Sequence, residues 1–204
     1  MAVARKIRGR VVRFELMAYG NDDKARDAKE GLRGEVGTFG QVRVEHTKTY
    51  RRVGDGMDTV RLSGPAFPLT VFRGRRRNGQ PSLSKAELTL DGDPAELRFN
   101  ARALRKQSRA LRVDYGGREY VYSSDGMGKP NSLVRDGVRV ALRLGEFVPS
   151  LGVGRIGEVV GPGDAVDLAI AIVLEEVDTD LLTVTGTALS SPFALLHHLS
   201  DTAE

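Results

Sequence analysis

The chain is dominated by short runs in which apolar and polar residues alternate. Nine such runs, rich in β-branched and aromatic residues, are VVRFELMAY, QVRVEHTKTY, DTVRLS, PLTVFR, KAELTL, AELRFN, ALRVDY, REYVYS and GVRVALRL. A period of two places successive side chains on opposite faces of a strand, so each run predicts a β-strand with one buried face. Clusters of Gly, Asn, Asp and Pro between the runs predict hairpin turns.

One segment breaks this pattern, GPGDAVDLAIAIVLEEVDT at residues 161–179. Asp164 is a good N-cap after a Pro-Gly break, and Asp167 places a negative charge in the first turn, where the helix dipole favours it. Between Ala165 and Leu174 the residues leave almost no polar face at 100° per residue. The pattern predicts a helix over 165–177 that must be surrounded by protein, with Glu175 and Glu176 emerging into solvent.

Two alternatives bear on this segment. The run of Ile170, Ile172 and Val173 could also form a fully buried strand, because each of these residues favours β structure. As a helix, the segment is roughly 20 Å long at 1.5 Å per residue, which is short of the ~30 Å hydrocarbon core of a bilayer. The sequence therefore predicts no transmembrane span.

Strands surrounding one apolar helix predict a mainly β fold, a closed antiparallel barrel of about 10–12 strands enclosing the helix at 165–177. We predict one domain over residues 1–204, in which DLLTVTGTAL forms a closing strand and residues 191–200 form a short helical tail capped by Ser191. Gly152, Gly154 and Gly157 are expected to form turns before the buried helix.

Two segments remain ambiguous. NDDKARDAKEGLRG, residues 21–34, predicts either a short polar helix capped by Asp22 or Asp23, or a loop, since it lacks an apolar stripe. RALRKQSRALRV, residues 102–113, could be a basic amphipathic helix or a turn between strands. The neighbouring strands favour the turn.

Barrel strands followed by a capped, wholly apolar helix resemble the tubby C-terminal-like superfamily, which includes the LURP-one-related proteins and the phospholipid scramblases. The resemblance is architectural and covers residues 7–177, and its most recognisable piece is DAVDLAIAIVLEEVD. It implies a twelve-stranded barrel around a buried helix and a non-enzymatic domain, with anionic-lipid binding in the tubby branch. No site residue is carried over from the resemblance. The chain lacks the cysteine-rich and acidic calcium-binding segments associated with scramblases, which speaks against scrambling.

Charge is distributed unevenly along the chain. Residues 1–120 hold 26 Lys+Arg against 15 Asp+Glu, and the remainder holds 5 against 12, which gives the net charge of +4. A basic body attracts phosphate backbones or anionic lipid headgroups. However, the chain has 24 Arg and 7 Lys, and a GC-rich genome produces the same bias without selection for binding.

Three basic clusters are candidates for polyanion binding. The sharpest lies in FRGRRRNGQP, where a hairpin would present guanidinium groups that can hold phosphates bidentately. The candidate residues are Arg73, Arg75, Arg76 and Arg77 in this cluster, Arg102, Arg105, Lys106 and Arg109 in the second, and Arg5, Lys6, Arg8 and Arg10 at the amino terminus. The alternative is that charged loops keep a barrel soluble and protect its edges.

Catalytic and metal-binding patterns are weak. There is no cysteine and no HExxH, GxSxG or GxxxxGK(S/T) motif, so we predict no enzyme, no cofactor and no metal site. His46 is expected to face solvent from a strand, and the adjacent His197 and His198 would diverge on a helix. Without tryptophan, a base-stacking groove for nucleic acid has little support, and any nucleic-acid contact would be nonspecific.

Together these patterns predict a non-enzymatic binding module that recognises anionic lipid or another polyanion through basic loops. The alternative is a structural or protein-interaction subunit of a larger assembly, consistent with the acidic EEVDTD segment. The absence of cysteine and of an apolar amino-terminal leader predicts a cytoplasmic protein, with a location at the membrane periphery if it binds lipid.

Overall fold

The computed structural model describes residues 11–20, 30–47, 56–99, 110–124, 129–149 and 151–182. This part of the chain forms strands β1 (Val11–Tyr19), β2 (Glu30–Glu35), β3 (Gln41–Thr47), β4 (Met57–Gly64), β5 (Phe67–Arg77), β6 (Gln80–Pro81), β7 (Glu87–Leu90), β8 (Asp93–Arg98), β9 (Leu111–Tyr115), β10 (Arg118–Ser123), β11 (Asn131–Arg135), β12 (Val138–Val148) and β13 (Gly152–Val160), and helix α1 (Ala165–Glu175). Short 3₁₀ turns lie at Gly37–Phe39 and Asp180–Leu182.

The strands close into a barrel because the first and last of them pair. From β1 to β5 and from β7 to β13 each strand pairs antiparallel with the next, β5 pairs with β7, and β13 returns to β1 with Val11 opposite Val160. Strand β6 adds two residues to the end of β5. The result is a closed barrel of 12 strands, which confirms the predicted fold class.

Helix α1 fills the barrel. Every side chain from Leu168 to Leu174 is fully buried, and the helix packs against β4, β5, β11 and β12. Asp164 is its N-cap, as predicted, and forms a capping box with Asp167. The alternative of a buried strand is therefore wrong, and the helix ends at Glu175, two residues before the predicted end.

The glycines before the helix lie in a strand. Gly154 and Gly157 belong to β13, so the prediction that they form turns is wrong, whereas Gly152, with a φ of 112°, begins the strand at the β12–β13 turn. The ring of Phe14 packs on Gly157, where an added Cβ would lie 2.0 Å from Phe14 Cζ. This glycine makes room for a core aromatic ring.

Four strands differ from the sequence prediction. Residues 30–35 form β2, whereas the segment 21–34 was predicted to be a helix or a loop, and β6, β11 and β13 were not predicted. Residues 21–29 lie outside the described residues. The predicted closing strand DLLTVTGTAL begins with the 3₁₀ turn Asp180–Leu182, and its remainder and the predicted tail at 191–200 also lie outside that part of the chain.

Candidate functional site

The basic FRGRRRNGQP segment forms the predicted hairpin. Asn78 and Gly79 turn the chain between β5 and β6 with φ angles of 50° and 80°, and Arg77 pairs with Gln80 across the turn. Along β5, Arg73 and Arg75 alternate with the buried Phe72 and Gly74, which places them on the outer face of the barrel. Arg73 is exposed and Arg75 is half-buried.

The other two arginines of this segment bind the protein's own carboxylates. Arg76 donates from Nε and Nη2 to the two carboxylate oxygens of Asp58, at 2.6 and 2.7 Å, and Asp58 is buried. Such a bidentate pair is geometrically specific. The Nε of Arg77 lies 3.8 Å from the Oδ2 of Asp178. Arg76 and Arg77 of the predicted anion-binding cluster in β5 therefore participate in intramolecular ion pairs.

The acidic segment after the helix lies against this hairpin. The backbone nitrogen of Asp178 donates to the carbonyl of Pro81 at 2.8 Å, and Ser82 forms a β-bridge with Asp178. Asn78 donates from Nδ2 to the same Asp178 carboxylate at 2.9 Å. The EEVDTD segment and the RGRRR segment, which have opposite charge, thus meet at the end of the barrel where the helix ends.

The predicted site residues Arg102, Arg105 and Lys106 lie outside the described residues, as do Arg109 and the amino-terminal cluster. The structure therefore brings together Arg73, Arg75, Arg76 and Arg77 on one hairpin and leaves the other clusters as predictions.

Behind this hairpin lies a buried polar cluster that the sequence analysis missed. Glu175 and Glu176, predicted to emerge into solvent, have side chains only 5% and 6% exposed. The guanidinium of Arg155, on the inner face of β13, lies between them: Nη2 is 2.9 Å from Glu176 Oε1 and Nε is 3.6 Å from Glu175 Oε1. The acidic end of the helix is closed by protein because strands extend past it.

His46 also contributes to this cluster, which corrects the prediction that it faces solvent. Its Nε2 lies 3.1 Å from Glu176 Oε2, and its side chain is 13% exposed. Val42 and Val44 precede it at a spacing of two and are buried, so parity along β3 points His46 inward. That parity was visible in the sequence, whereas the partner Glu176 is 130 residues away.

Hydrogen bonding to Glu175 comes from two other strands. Asn131 donates from Nδ2 to Oε2 at 2.8 Å, and the hydroxyl of Tyr122 lies 3.4 Å from the same oxygen. Burial raises the pKa of Glu175 to about 7, although Asn131 and Arg155 act in the opposite direction. Burial, and then the neighbouring Glu175 carboxylate, also raise the pKa of Tyr122 well above its usual value.

The cluster is not fully hydrogen-bonded. Within the described part of the chain, Arg155 Nε and Glu176 Oε1 are buried atoms that have no hydrogen bond, although Glu176 Oε1 is within ion-pair distance of Arg155. Two carboxylates, one guanidinium and one imidazole thus share a space that water barely reaches. Within the described residues, no three potential ligands are arranged to bind a metal ion.

At its tip, the β12–β13 hairpin carries exposed apolar side chains. Leu144, Phe147 and Leu151 are 60%, 65% and 37% exposed. A bulge between Leu144 and Phe147 interrupts the ladder with β13, and bulges bend a strand locally. The result is an apolar tip at the same end of the barrel as the acidic cluster, because Leu144 lies opposite Arg155.

Arginines lie next to this tip. Arg143 directly precedes Leu144, and Arg139 lies four residues earlier on the same outer face of β12, both exposed. Together with Arg13 of β1 they line a shallow groove of about 480 Å³. Of these three arginines, only Arg13 has a carboxylate partner within the described residues, Glu158 at 3.2 Å. Positive charge and apolar surface are therefore adjacent on β12.

No family model matches this chain, and searches of curated proteins and of solved structures find no match. Within the described residues no helix is long and apolar enough to cross a bilayer.

Proposed function

We propose that the protein is a non-enzymatic binding module that docks on anionic lipid surfaces, with the β12–β13 hairpin as its point of contact. The observation that carries this proposal is the exposed tip of Leu144, Phe147 and Leu151, which follows Arg143 on β12, with Arg139 four residues earlier on the same strand. Apolar side chains at a hairpin tip enter the interfacial region of a bilayer, and neighbouring cations attract its anionic headgroups. The resemblance of the sequence pattern to the tubby C-terminal-like superfamily, whose tubby branch binds anionic lipid, motivates the same proposal.

The filled barrel supports a surface role. Helix α1 occupies the interior with side chains that are fully buried, and deep catalytic or ligand sites need concave space lined with convergent polar groups. A ligand of this module would therefore bind on the outer surface of the barrel. The predicted and exposed β5 residue Arg73 contributes a second source of positive charge there, and Arg76 and Arg77 are engaged with Asp58 and Asp178.

The test is co-sedimentation with phosphatidylcholine vesicles, with and without phosphatidylserine, at low and at physiological ionic strength. We expect binding only with phosphatidylserine, and weaker binding in salt because salt screens exposed charges. Phe147→Ser should abolish binding and Arg139→Gln with Arg143→Gln should weaken it. Arg73→Gln measures how much the β5 arginine contributes to vesicle binding. The matched control is Arg61→Gln, because Arg61 is exposed on β4, and it should bind vesicles as the unchanged chain does.

Duplex DNA serves as competitor. If DNA displaces the protein from vesicles and binds it equally well, the protein is a general polyanion binder and the lipid proposal is wrong. Equal binding by Phe147→Ser and the unchanged chain would exclude the hairpin as the contact.

The second candidate function is a subunit of a larger protein assembly. The same exposed Phe147 favours it, because aromatic side chains are enriched at protein interfaces. A complex that survives high salt, forms without lipid and is lost in Phe147→Ser would favour this function over membrane docking.

A further inference from the structure

A second groove, on a different part of the outer wall, has features of a small-molecule site. It crosses β1 to β4 and has a volume of about 620 Å³, within the usual range of ligand sites. Four of its lining residues form one row across these strands: Met17 lies opposite Arg33, Arg33 opposite Arg43, and Arg43 opposite Ser63. The barrel thus presents two guanidinium groups side by side.

An aromatic ring orients the two arginines. The guanidinium carbons of Arg43 and Arg33 lie 4.9 and 5.8 Å from the ring centroid of Tyr19, within the range of cation–π attraction. Arg43 also donates from Nε to the Tyr19 hydroxyl at 2.9 Å. Like charges directly opposite on neighbouring strands are unfavourable, so an anion bound between them would relieve their repulsion.

The charges around the groove favour an anion with a single charge. Arg43 has a carboxylate partner, Glu45 at 3.1 Å, whereas Arg33 has no carboxylate partner within the described residues. Glu35 also lines the groove and would repel a second negative charge. The guanidinium of Arg33 is therefore available to bind an anion, and its planar geometry matches that of a carboxylate.

The remaining lining is largely apolar. Met17 is 60% exposed, and Pro65, Gln41 and Ser63 also line the groove. We propose that this groove binds a small monocarboxylate with an apolar body, its carboxylate on Arg33, beside Arg43, and its apolar part on Met17 and Pro65. This site is separate from the β12–β13 hairpin, so it can exist whether or not the protein docks on membranes.

The experiment is a titration with hexanoate followed by NMR of ¹³C-methyl-labelled methionine. The chain has four methionines, and Met17→Leu identifies the resonance of Met17. We expect a saturable shift of that resonance alone, and a loss of affinity of about tenfold or more in Arg33→Gln, since a charge-assisted hydrogen bond contributes about 1.5–3 kcal/mol. Arg139→Gln, an exposed arginine in the other groove, is the matched control that should leave the titration unchanged.

Hexanol tests the charge, because it carries the same apolar chain without a carboxylate and should not saturate the site. A short peptide ending in leucine, compared with its carboxamide, shows whether the natural source of the carboxylate is a chain terminus or a free acid. A linear shift without saturation, equal binding of hexanoate to Arg33→Gln, or equal binding of hexanol would each overturn the proposal. None of these results bears on vesicle binding, so the proposed membrane docking is tested separately from the proposed groove.

Discussion

The two ends of the buried helix α1 carry acidic residues in opposite electrostatic settings. At its start, Asp164 and Asp167 lie at the positive end of the helix dipole, where negative charge is favourable. At its end, Glu175 and Glu176 lie at the negative end. Both Asp167 and the two glutamates are nearly inaccessible to water, so the difference comes from the partners that each end provides.

At the start of the helix, both carboxylates have partners that compensate their negative charge. Asp167 accepts two hydrogen bonds from Arg135, at 2.6 and 2.8 Å, and a third from the backbone nitrogen of Asp164. Asp164 accepts from the backbone of Val166 and Asp167 and pairs with Arg118 at 2.5 Å. Burial alone would raise the pKa of Asp164, but these interactions outweigh it and lower the pKa. This end anchors the helix in the barrel.

At the end of the helix, the negative charge is poorly compensated, because the two adjacent carboxylates share the guanidinium of Arg155. Glu175 has a raised pKa of about 7 against an ordinary 4.5, so folding favours its protonated form. The folded state therefore loses stability as the pH rises from about 4.5 through about 7. Buried groups that reduce stability in this way are concentrated at functional positions, and this end lies beneath the hairpins that carry the proposed binding surfaces.

The largest effect is expected from removing the anchor. Asp167→Ala leaves Arg135 half-buried without its carboxylate and breaks the capping box, which should lower the free energy of unfolding by roughly 4 kcal/mol. Urea denaturation followed by circular dichroism measures the change. A loss of well under 1 kcal/mol would show that the helix is held by apolar packing alone.

At the other end, Arg155→Met should also destabilise the protein, by about 3 kcal/mol at pH 8, because it leaves two buried carboxylates without a cation. Unlike the loss in Asp167→Ala, this loss should shrink at pH 5, which is below the raised pKa of about 7 of Glu175, so that this carboxyl binds a proton. Urea denaturation at pH 5 and at pH 8 measures the loss of stability at each pH. Equal losses at pH 5 and pH 8 would mean that Arg155 acts by filling space and through its bonds to the carbonyls of Val153 and Gly154.

Glu175→Gln should stabilise the protein. Glutamine retains an oxygen that can accept from Asn131 but carries no charge, so the penalty of ionising the buried carboxyl disappears. A pKa difference of about 2.5 corresponds to a gain of up to about 3 kcal/mol at pH 8 and almost none at pH 4. The matched control is Glu158→Gln on the exposed outer face of β13, whose effect should stay within about 0.5 kcal/mol at both pH values. If Glu175→Gln instead lowered the free energy of unfolding at pH 8, the explanation that negative charge is poorly compensated at this end of the helix would be wrong.

The sequence predicted the first end of the helix but not the second, for a physical reason. A cap such as Asp164 acts on backbone groups two and three residues away, so its effect can be inferred from a short segment. The partners of Glu176 come from His46 and Arg155, and only closure of the barrel brings them together. Alternation of apolar and polar residues predicted nine strands because period two is a local signal.

Two of the strands that the sequence analysis missed, β2 and β13, contain glycines required by close packing. In β2, a Cβ on Gly31 would lie 1.9 Å from the carbonyl oxygen of Val44, and one on Gly34 would lie 2.3 Å from that of Glu15. Glycine usually indicates a turn, so EGLRGE was not predicted as a strand. Close approach between neighbouring strands depends on tertiary contacts, which a single sequence does not reveal.

The smallest effect is expected at the exposed part of the first end. Asp164→Ala removes the N-cap and the partner of Arg118 but leaves Asp167 with Arg135, so the loss should be about 1 kcal/mol. Asp164→Asn should recover most of it at neutral pH, because an amide oxygen caps nearly as well as a carboxylate and the ion pair with Arg118 is partly exposed. Thermal denaturation of the three proteins measures both steps. If Asp164→Asn were as unstable as Asp164→Ala, the charge rather than the cap would hold this end of the helix, and both ends would then be governed by ion pairing.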